Sequence, residues 1–95
     1  MKQSEAILKL LTNLVKFLNS LQMNKALAKE YSALLVLTDS ERIAFIQTQI
    51  SPYKADLDNV IVGTLQKYGH KKDDVKIEDY HKLKRFVLAL IDAVA

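Results

Sequence analysis

The chain has 95 residues, of which 49% are hydrophobic and 26% charged, and its formal net charge is +3. A chain this short supports one hydrophobic core, and its composition is that of a folded domain rather than a disordered segment. Because the sequence contains no cysteine, disulfides, thiol nucleophiles and cysteine-ligated zinc are excluded. Two glycines and one proline are too few for the turns of a β-rich fold. The composition therefore favours a single all-α domain.

The first predicted helix follows Ser4, a residue that can cap a helix N-terminus, and runs to about Leu21. Its apolar residues recur at steps of four and three, which places on one face Ile7, Leu11, Leu14, Leu18 and Leu21. Four more apolar side chains widen this face, namely Leu8, Leu10, Val15 and Phe17. Since the polar residues fit within about a third of the circumference, we expect this helix to be the most completely buried one, within the monomer or across a homodimer.

The second predicted helix is shorter and begins after Asn24, which can cap its N-terminus. It ends near Leu37, and its helical spacing turns Leu27, Tyr31 and Leu34 inward. The residues that follow this helix carry the strongest local signal for a helix start in the chain.

That signal is the segment Thr38-Asp39-Ser40-Glu41, which matches a capping box. The Thr38 hydroxyl can accept a hydrogen bond from the amide of Glu41, while the Glu41 carboxylate accepts one from the amide of Thr38. A third helix is therefore predicted from this point to about Ile50, and its inward residues are Ile43, Ile46 and Ile50.

Ser51 and Pro52 predict a fourth helix, because a capping hydroxyl is followed by proline at the first helical position. We expect the helix to run to Tyr68, where Gly69 suits a left-handed C-terminal residue. Its inward residues are Leu57, either Val60 or Ile61, Leu65 and Tyr68. Glycine inside a helix costs about 1 kcal/mol relative to alanine, so Gly63 is interpreted as a packing glycine that admits a close neighbour or a bend rather than as a hinge.

The last predicted helix begins near Glu78, after a polar loop over residues 70–77. Its apolar residues keep the spacing of four and three, and they are Tyr80, Leu83, Val87, Leu90 and Val94. Glu78 and Lys82 stand four positions apart, which predicts a favourable ion pair. Together the helical segments predict a compact antiparallel bundle of four to five helices in a single domain.

Catalytic patterns are missing from the sequence. The two histidines, His70 and His81, lack the neighbouring nucleophile and orienting acid of a triad. Pairs of carboxylates stand at helix starts or in the loop, at Asp56/Asp58, Asp73/Asp74 and Glu78/Asp79. Residues 70–81 hold several oxygen and nitrogen ligands, but without zinc or calcium spacing and with lysines between them. We therefore predict no catalytic residue, no metal site and no cofactor.

Positive charge is concentrated in residues 67–85, which hold seven basic and four acidic side chains, an excess equal to the net charge of the chain. Such a region can meet an acidic protein, a nucleic-acid backbone or an anionic lipid surface, although a solvated face has the same composition. Lys82 and Lys84 point about 200° apart on a helix. The expected binding residues are therefore a subset, namely Lys71, Lys72, Lys84 and Arg85.

Nucleic acid is the less favoured partner. A helix-turn-helix formed by the second and third helices would need basic or amide side chains at the start of its recognition helix. The third helix begins instead with Asp39 and Glu41 and offers only Arg42 as a cation.

The functional hypothesis is a non-enzymatic protein that acts by protein–protein interaction, as a regulator, adaptor or immunity-type binder. Its partner is another protein or a second copy, which would form a homodimer, and the expected interface is Leu8, Leu10, Val15 and Phe17. The alternative is binding of nucleic acid or an anionic surface through residues 67–85.

Glu5 disfavours a signal peptide, and the longest uncharged run, residues 43–53, is too short and polar for an integral membrane segment. A cytoplasmic location is expected.

Overall fold

The computed structural model describes residues 2–21, 25–67 and 75–95, and within these ranges the chain is helical without a strand. The α-helices of this part are α1 (Lys2–Ser20), α2 (Lys25–Ser32), α3 (Asp39–Gln49), α4 (Leu57–Lys67) and α5 (Ile77–Val94). Two 3₁₀ segments, Ala33–Val36 and Ser51–Asp56, precede α3 and α4. The predicted all-α bundle is thus confirmed. Among the described helices, none combines the length and the apolar character needed to cross a membrane.

The two long helices α1 and α5 form an antiparallel pair. The Gln3 side-chain amide donates a hydrogen bond to the carbonyl oxygen of Ala93 at 2.8 Å, near one end of the pair. Towards the other end, the ring centroids of Phe17 and Phe86 lie 5.7 Å apart. Helix α1 also packs on α2 and α3, and α5 packs on α3 and α4. The most deeply buried side chains are Ile7, Leu11, Leu14, Ile46, Leu65 and Leu90.

Helix α1 confirms the predicted core face at Ile7, Leu11, Leu14 and Leu18, which are buried, whereas Leu21 is half-buried just after the helix end. The predicted cap is wrong: the helix begins at Lys2, so Ser4 lies inside it and is itself buried. A capping residue needs a non-helical backbone, whereas Ser4 lies two residues after the first helical residue. Within the monomer α1 is buried no more completely than α5, since both helices keep solvent-facing sides. Burial of α1 across a homodimer stays a prediction.

The second predicted helix is divided into two helical forms. Helix α2 ends at Ser32, and the chain continues as a 3₁₀ turn to Val36 rather than as α-helix to Leu37. Leu27 and Leu34 are buried as predicted, and Tyr31 is half-buried. The predicted cap Asn24 lies outside the described residues. The tighter 3₁₀ turn brings consecutive carbonyl groups together at the end of the helix.

Helix α3 begins with the predicted capping box. The amide of Glu41 donates to the Thr38 hydroxyl at 3.2 Å, and the amide of Thr38 donates to the Glu41 carboxylate at 3.0 Å. These hydrogen bonds stabilise the ionised carboxylate and hold the pKa of Glu41 below its ordinary value. Ile46 is fully buried, whereas Ile43 and Ile50 are half-buried.

Helix α4 begins later than predicted, because Ser51–Asp56 forms a 3₁₀ segment and the α-helix starts only at Leu57. Ser51 is not a cap: its hydroxyl is buried and has no hydrogen-bond partner among the described residues. Ile61 rather than Val60 takes the buried position, together with Leu57 and Leu65. The predicted helix end at Tyr68 and Gly69 lies outside the described residues.

Gly63 does not admit a close neighbour. A Cβ atom added at this exposed glycine would meet no other described residue within 4 Å, apart from its own helix backbone and chain neighbours. The predicted close neighbour is therefore not found in the described part of the chain, and a bend of α4 at Gly63 stays a prediction.

Helix α5 begins at Ile77, one residue before the predicted start, and its predicted core residues are all buried. The predicted ion pair between Glu78 and Lys82 is not formed. The Lys82 ammonium lies instead over the ring of Phe17, 4.9 Å from its centroid. The electron-rich ring face attracts the cation, which ties the outer edge of α5 to α1.

Candidate functional site

The structure separates the predicted basic residues. Lys84 points towards α4, where its ammonium lies 3.0 Å from a carboxylate oxygen of Asp58. Arg85 lies on the other side of α5, beside Leu10 of α1 and Lys82. Lys84 and Arg85 therefore do not share a face, and Arg85 is grouped with Lys82, which the predicted subset left out. The other two predicted residues, Lys71 and Lys72, lie outside the described residues.

The predicted interface of α1 is also divided. Val15 borders a groove between α1 and α2, and Leu8, which is 39% exposed, lies on the same flank. Leu10 borders the opposite groove, between α1 and α5. Phe17 is only 8% exposed and packs on Phe86, so it is a core residue rather than an interface residue. The four side chains do not form one continuous surface.

Arg42 points into the protein. Its guanidinium donates hydrogen bonds to the carbonyl oxygens of Leu34, Leu35 and Leu37, and it pairs with the carboxylate of Asp39. The only basic residue of α3 is thus occupied inside the chain. A recognition helix contacts phosphates and bases with exposed cations and amides, so this geometry removes support from the helix-turn-helix hypothesis.

An apolar cleft opens between α2, α3 and α4, with α5 as its floor. Its volume is about 210 Å³. The buried side chains that line it are Leu34, Leu57, Ile61, Leu65, Leu83 and Val87. Half-buried apolar side chains complete the walls, namely Tyr31, Phe45, Ile50 and Val60. The half-buried walls therefore offer apolar surface to a molecule outside the chain, directly beside core side chains.

The polar rim of the cleft is sparse. Glu30 is the one charged residue among the described residues that line it, and Gln49 and Thr64 are neutral. The Thr64 hydroxyl donates to the carbonyl oxygen of Val60 at 2.9 Å and is thus used within α4. Burial, assisted by the nearby Glu30 carboxylate, raises the pKa of Tyr31. The phenol of Tyr31 stays protonated at neutral pH and can donate a hydrogen bond to a bound group.

The arrangement of the helices explains why the cleft stays open. Helix α2 packs on α1, whereas α4 packs on α5 and on the preceding 3₁₀ segment. The two helices are thus held by different neighbours, and the space between them lies over Leu83 and Val87 of α5. The sequence does not predict the cleft, because its lining residues have the same helical spacing as covered core residues.

The described residues of the cleft offer apolar surface, one carboxylate and one phenol, without a nucleophile held by a base. His81 lies on the exposed side of α5, edge-on to Tyr80 at 6.0 Å, and His70 is outside the described residues. In the described part of the chain, no three metal-ligating side chains come together. No protein-family model, curated protein or solved structure matches the chain.

Proposed function

We propose that this protein is a non-enzymatic interaction module, and that the cleft between α2, α3 and α4 receives an apolar side chain of a protein partner. The main support is the cleft itself, an opening of about 210 Å³ in which half-buried apolar walls adjoin six buried apolar side chains. Interfaces gain most of their affinity from a few large side chains inserted into desolvated pockets. The lining of this cleft suits such an anchor.

The volume of the cleft supports a side chain over a cofactor-sized ligand. Cavities of about 150 Å³ accept a single benzene ring, whereas pockets for drug-sized molecules measure about 300–1,000 Å³. The observed volume of about 210 Å³ fits one aromatic or one large aliphatic side chain.

The walls and rim indicate the form of the partner. Helices α2 and α4 border the opening, and a groove between two helices is the usual binding place for an amphipathic helix. The Glu30 carboxylate at the rim is complementary to a lysine or arginine beside the apolar anchor. The proposed partner segment is therefore an amphipathic helix with an aromatic or leucine anchor and an adjacent cation.

Site-specific crosslinking tests the proposal. A photo-crosslinking residue in place of Gln49, at the rim, is expected to capture one partner, whereas the same residue in place of the 86% exposed Val36 is not. Excess unlabelled wild-type protein should abolish the capture. Unlabelled Val60→Phe should compete poorly, because its ring fills the cleft, while unlabelled Val36→Phe should compete like wild type.

Equal crosslinking from both positions, or full competition by folded Val60→Phe, would exclude the cleft as the binding surface. Thermal unfolding of both variants checks that the fold is retained. Capture of a second copy, confirmed by a dimer in sedimentation, would replace the separate partner with a homodimer.

A further inference from the structure

Exposed cations cover the outer side of the layer that α1 forms with α2 and α5. Helix α1 lies between the other two and packs on both. On its solvent-facing side Lys9 and Lys16 are exposed, about 10 Å apart along the axis. Lys25 and Lys29 line the groove towards α2, and Lys82 and Arg85 line the groove towards α5. We name this surface the basic face: Lys9, Lys16, Lys25, Lys29, Lys82 and Arg85.

The cations of the basic face have no ion-pair partner within the described ranges of the chain. The ion pairs found there involve other basic residues, namely Arg42, Lys54 and Lys84. Two carboxylates, Glu5 and Glu78, lie on the outward sides of α1 and α5 and offset part of the charge. The basic face thus sets six cations against two carboxylates, and α1 and α2 contribute to its positive charge together with Lys82 and Arg85 of α5.

From this distribution we infer that the basic face binds the surface of an anionic lipid membrane. Neighbouring helix axes lie about 8–10 Å apart, so the face is about 20 Å wide. A single partner helix, about 10–12 Å in diameter, would leave part of the cations uncovered, whereas a lipid surface meets all of them. Lysine ammonium groups are compact point charges on flexible stems, which suits mobile headgroups. Leu8, 39% exposed on the same layer, adds apolar contact.

The same geometry disfavours nucleic acid. A helix reads the major groove by entering a space about 12 Å wide, but α1 is flanked on both sides by α2 and α5. Binding of single strands relies on exposed aromatic platforms, and the aromatic residues at the α1–α5 contact, Phe17 and Phe86, are buried and half-buried. The inference does not rest on the proposed function, because the cleft is lined from α2, α3, α4 and α5 without a cation of the basic face.

Vesicle co-sedimentation tests the inference. The wild-type chain should bind phosphatidylcholine vesicles that contain about 30% phosphatidylserine, should not bind vesicles of phosphatidylcholine alone, and should be released as salt rises. A face variant, with Lys9, Lys16, Lys82 and Arg85 changed to Gln, should lose binding at least about tenfold, since each basic residue near an anionic surface raises partitioning about fivefold. The matched control changes to Gln Lys54, Lys67, Lys76 and Lys84, and it should retain most of the binding.

Three outcomes would overturn the inference: no preference for the anionic vesicles, equal losses in the face variant and its control, or tighter binding of a duplex DNA or polyglutamate at the same salt. Circular dichroism confirms that both variants fold. The cleft variant Val60→Phe should bind vesicles like wild type, so a failure of the protein-partner proposal leaves this result unchanged.

Discussion

Arg42 is the single charged residue that the described part of the chain buries, with 6% of its surface exposed. Its guanidinium donates hydrogen bonds to the carbonyl oxygens at the end of the 3₁₀ turn, and it also pairs with the carboxylate of Asp39 at the start of α3. Carbonyl groups at the end of a helix lack partners within the helix and must be satisfied by other donors. Arg42 thus acts as an internal C-terminal cap that fixes the corner between α2 and α3.

Arg42→Met should lower the free energy of unfolding by about 2–4 kcal/mol. Methionine keeps the apolar stem but leaves several carbonyl oxygens without their charged donor. Urea unfolding followed by circular dichroism measures the change, and exposed Arg85→Met should stay within about 0.5 kcal/mol of wild type. Equal stability of the two variants would show that the guanidinium hydrogen bonds contribute little.

The sequence indicates on which side of α3 Arg42 lies, but not which groups its guanidinium binds. Arg42 precedes the buried Ile46 by four residues, so helical spacing places both on the inward side of α3. Arginine at such a position usually extends its charged group to water. Only the 3₁₀ turn of Ala33–Val36 brings the acceptors that keep the guanidinium inside, and that turn has no separate signal in the sequence.

At the scale of the helices, the spacing of apolar residues predicted α1 better than the expected cap at Ser4 did. For α3 the capping box was the better predictor. Leu14→Ala should cost about 2–5 kcal/mol, because Leu14 is fully buried and its removal leaves a cavity. Thr38→Ala should cost about 1 kcal/mol through the lost cap of α3. Chemical denaturation of both variants gives the order, and a larger loss for Thr38→Ala would mean that α1 is not a central core element.

Helix α4 offers the opposite case, a substitution that should stabilise. Gly63→Ala is expected to raise the free energy of unfolding by about 0.5–1 kcal/mol, because alanine has the higher helix propensity and its Cβ meets open space. Thermal unfolding measures the gain. A destabilised Gly63→Ala variant would mean that α4 must bend at this residue.

Helical spacing therefore predicted the inward residues of α1, α4 and α5. It did not predict that the connections before α3 and α4 contain 3₁₀ segments. Ser51 and Pro52 carry a proper helix-start signal, yet the chain takes a 3₁₀ path for six residues before α4 begins. The cleft depends on this 3₁₀ segment and on the helices against which α2 and α4 pack. Together they set the distance between α2 and α4. Residue type alone does not contain such distances, so Leu57 and Ile61 were predicted as core residues but not as the lining of a cleft.

At the scale of the whole molecule, the arrangement depends on α2, which turns its cations and its carboxylate to different sides. Helix α2 carries Lys25 and Lys29 on its α1 side and Glu30 on the cleft side. The two proposed surfaces thus lie on opposite sides of α2, so that a membrane at the basic face would leave the cleft open to a protein partner.

The position of α4, and with it the width of the cleft, depends on a polar contact with α5. The buried Tyr80 donates from its hydroxyl to the Asp58 carboxylate at 3.0 Å, and Lys84 pairs with the same oxygen. Burial, followed by the hydrogen bond to Asp58 and its negative charge, raises the pKa of Tyr80 to about 12 from an ordinary 10.0. The folded state therefore holds the phenol proton more strongly than the unfolded chain does.

This difference predicts a loss of stability in alkali. Below pH 10.0 Tyr80 is protonated in both states, and its contribution is fully present. As the pH rises from there towards about 12, the unfolded chain releases the proton first, so the free energy of unfolding falls. Tyr80→Phe should be about 1 kcal/mol less stable at pH 7 through the lost hydrogen bond, and its deficit relative to wild type should shrink above pH 10.0. Urea unfolding of both proteins across this range measures the deficit, and parallel pH profiles would show that the Tyr80–Asp58 contact does not couple α4 to the rest of the bundle.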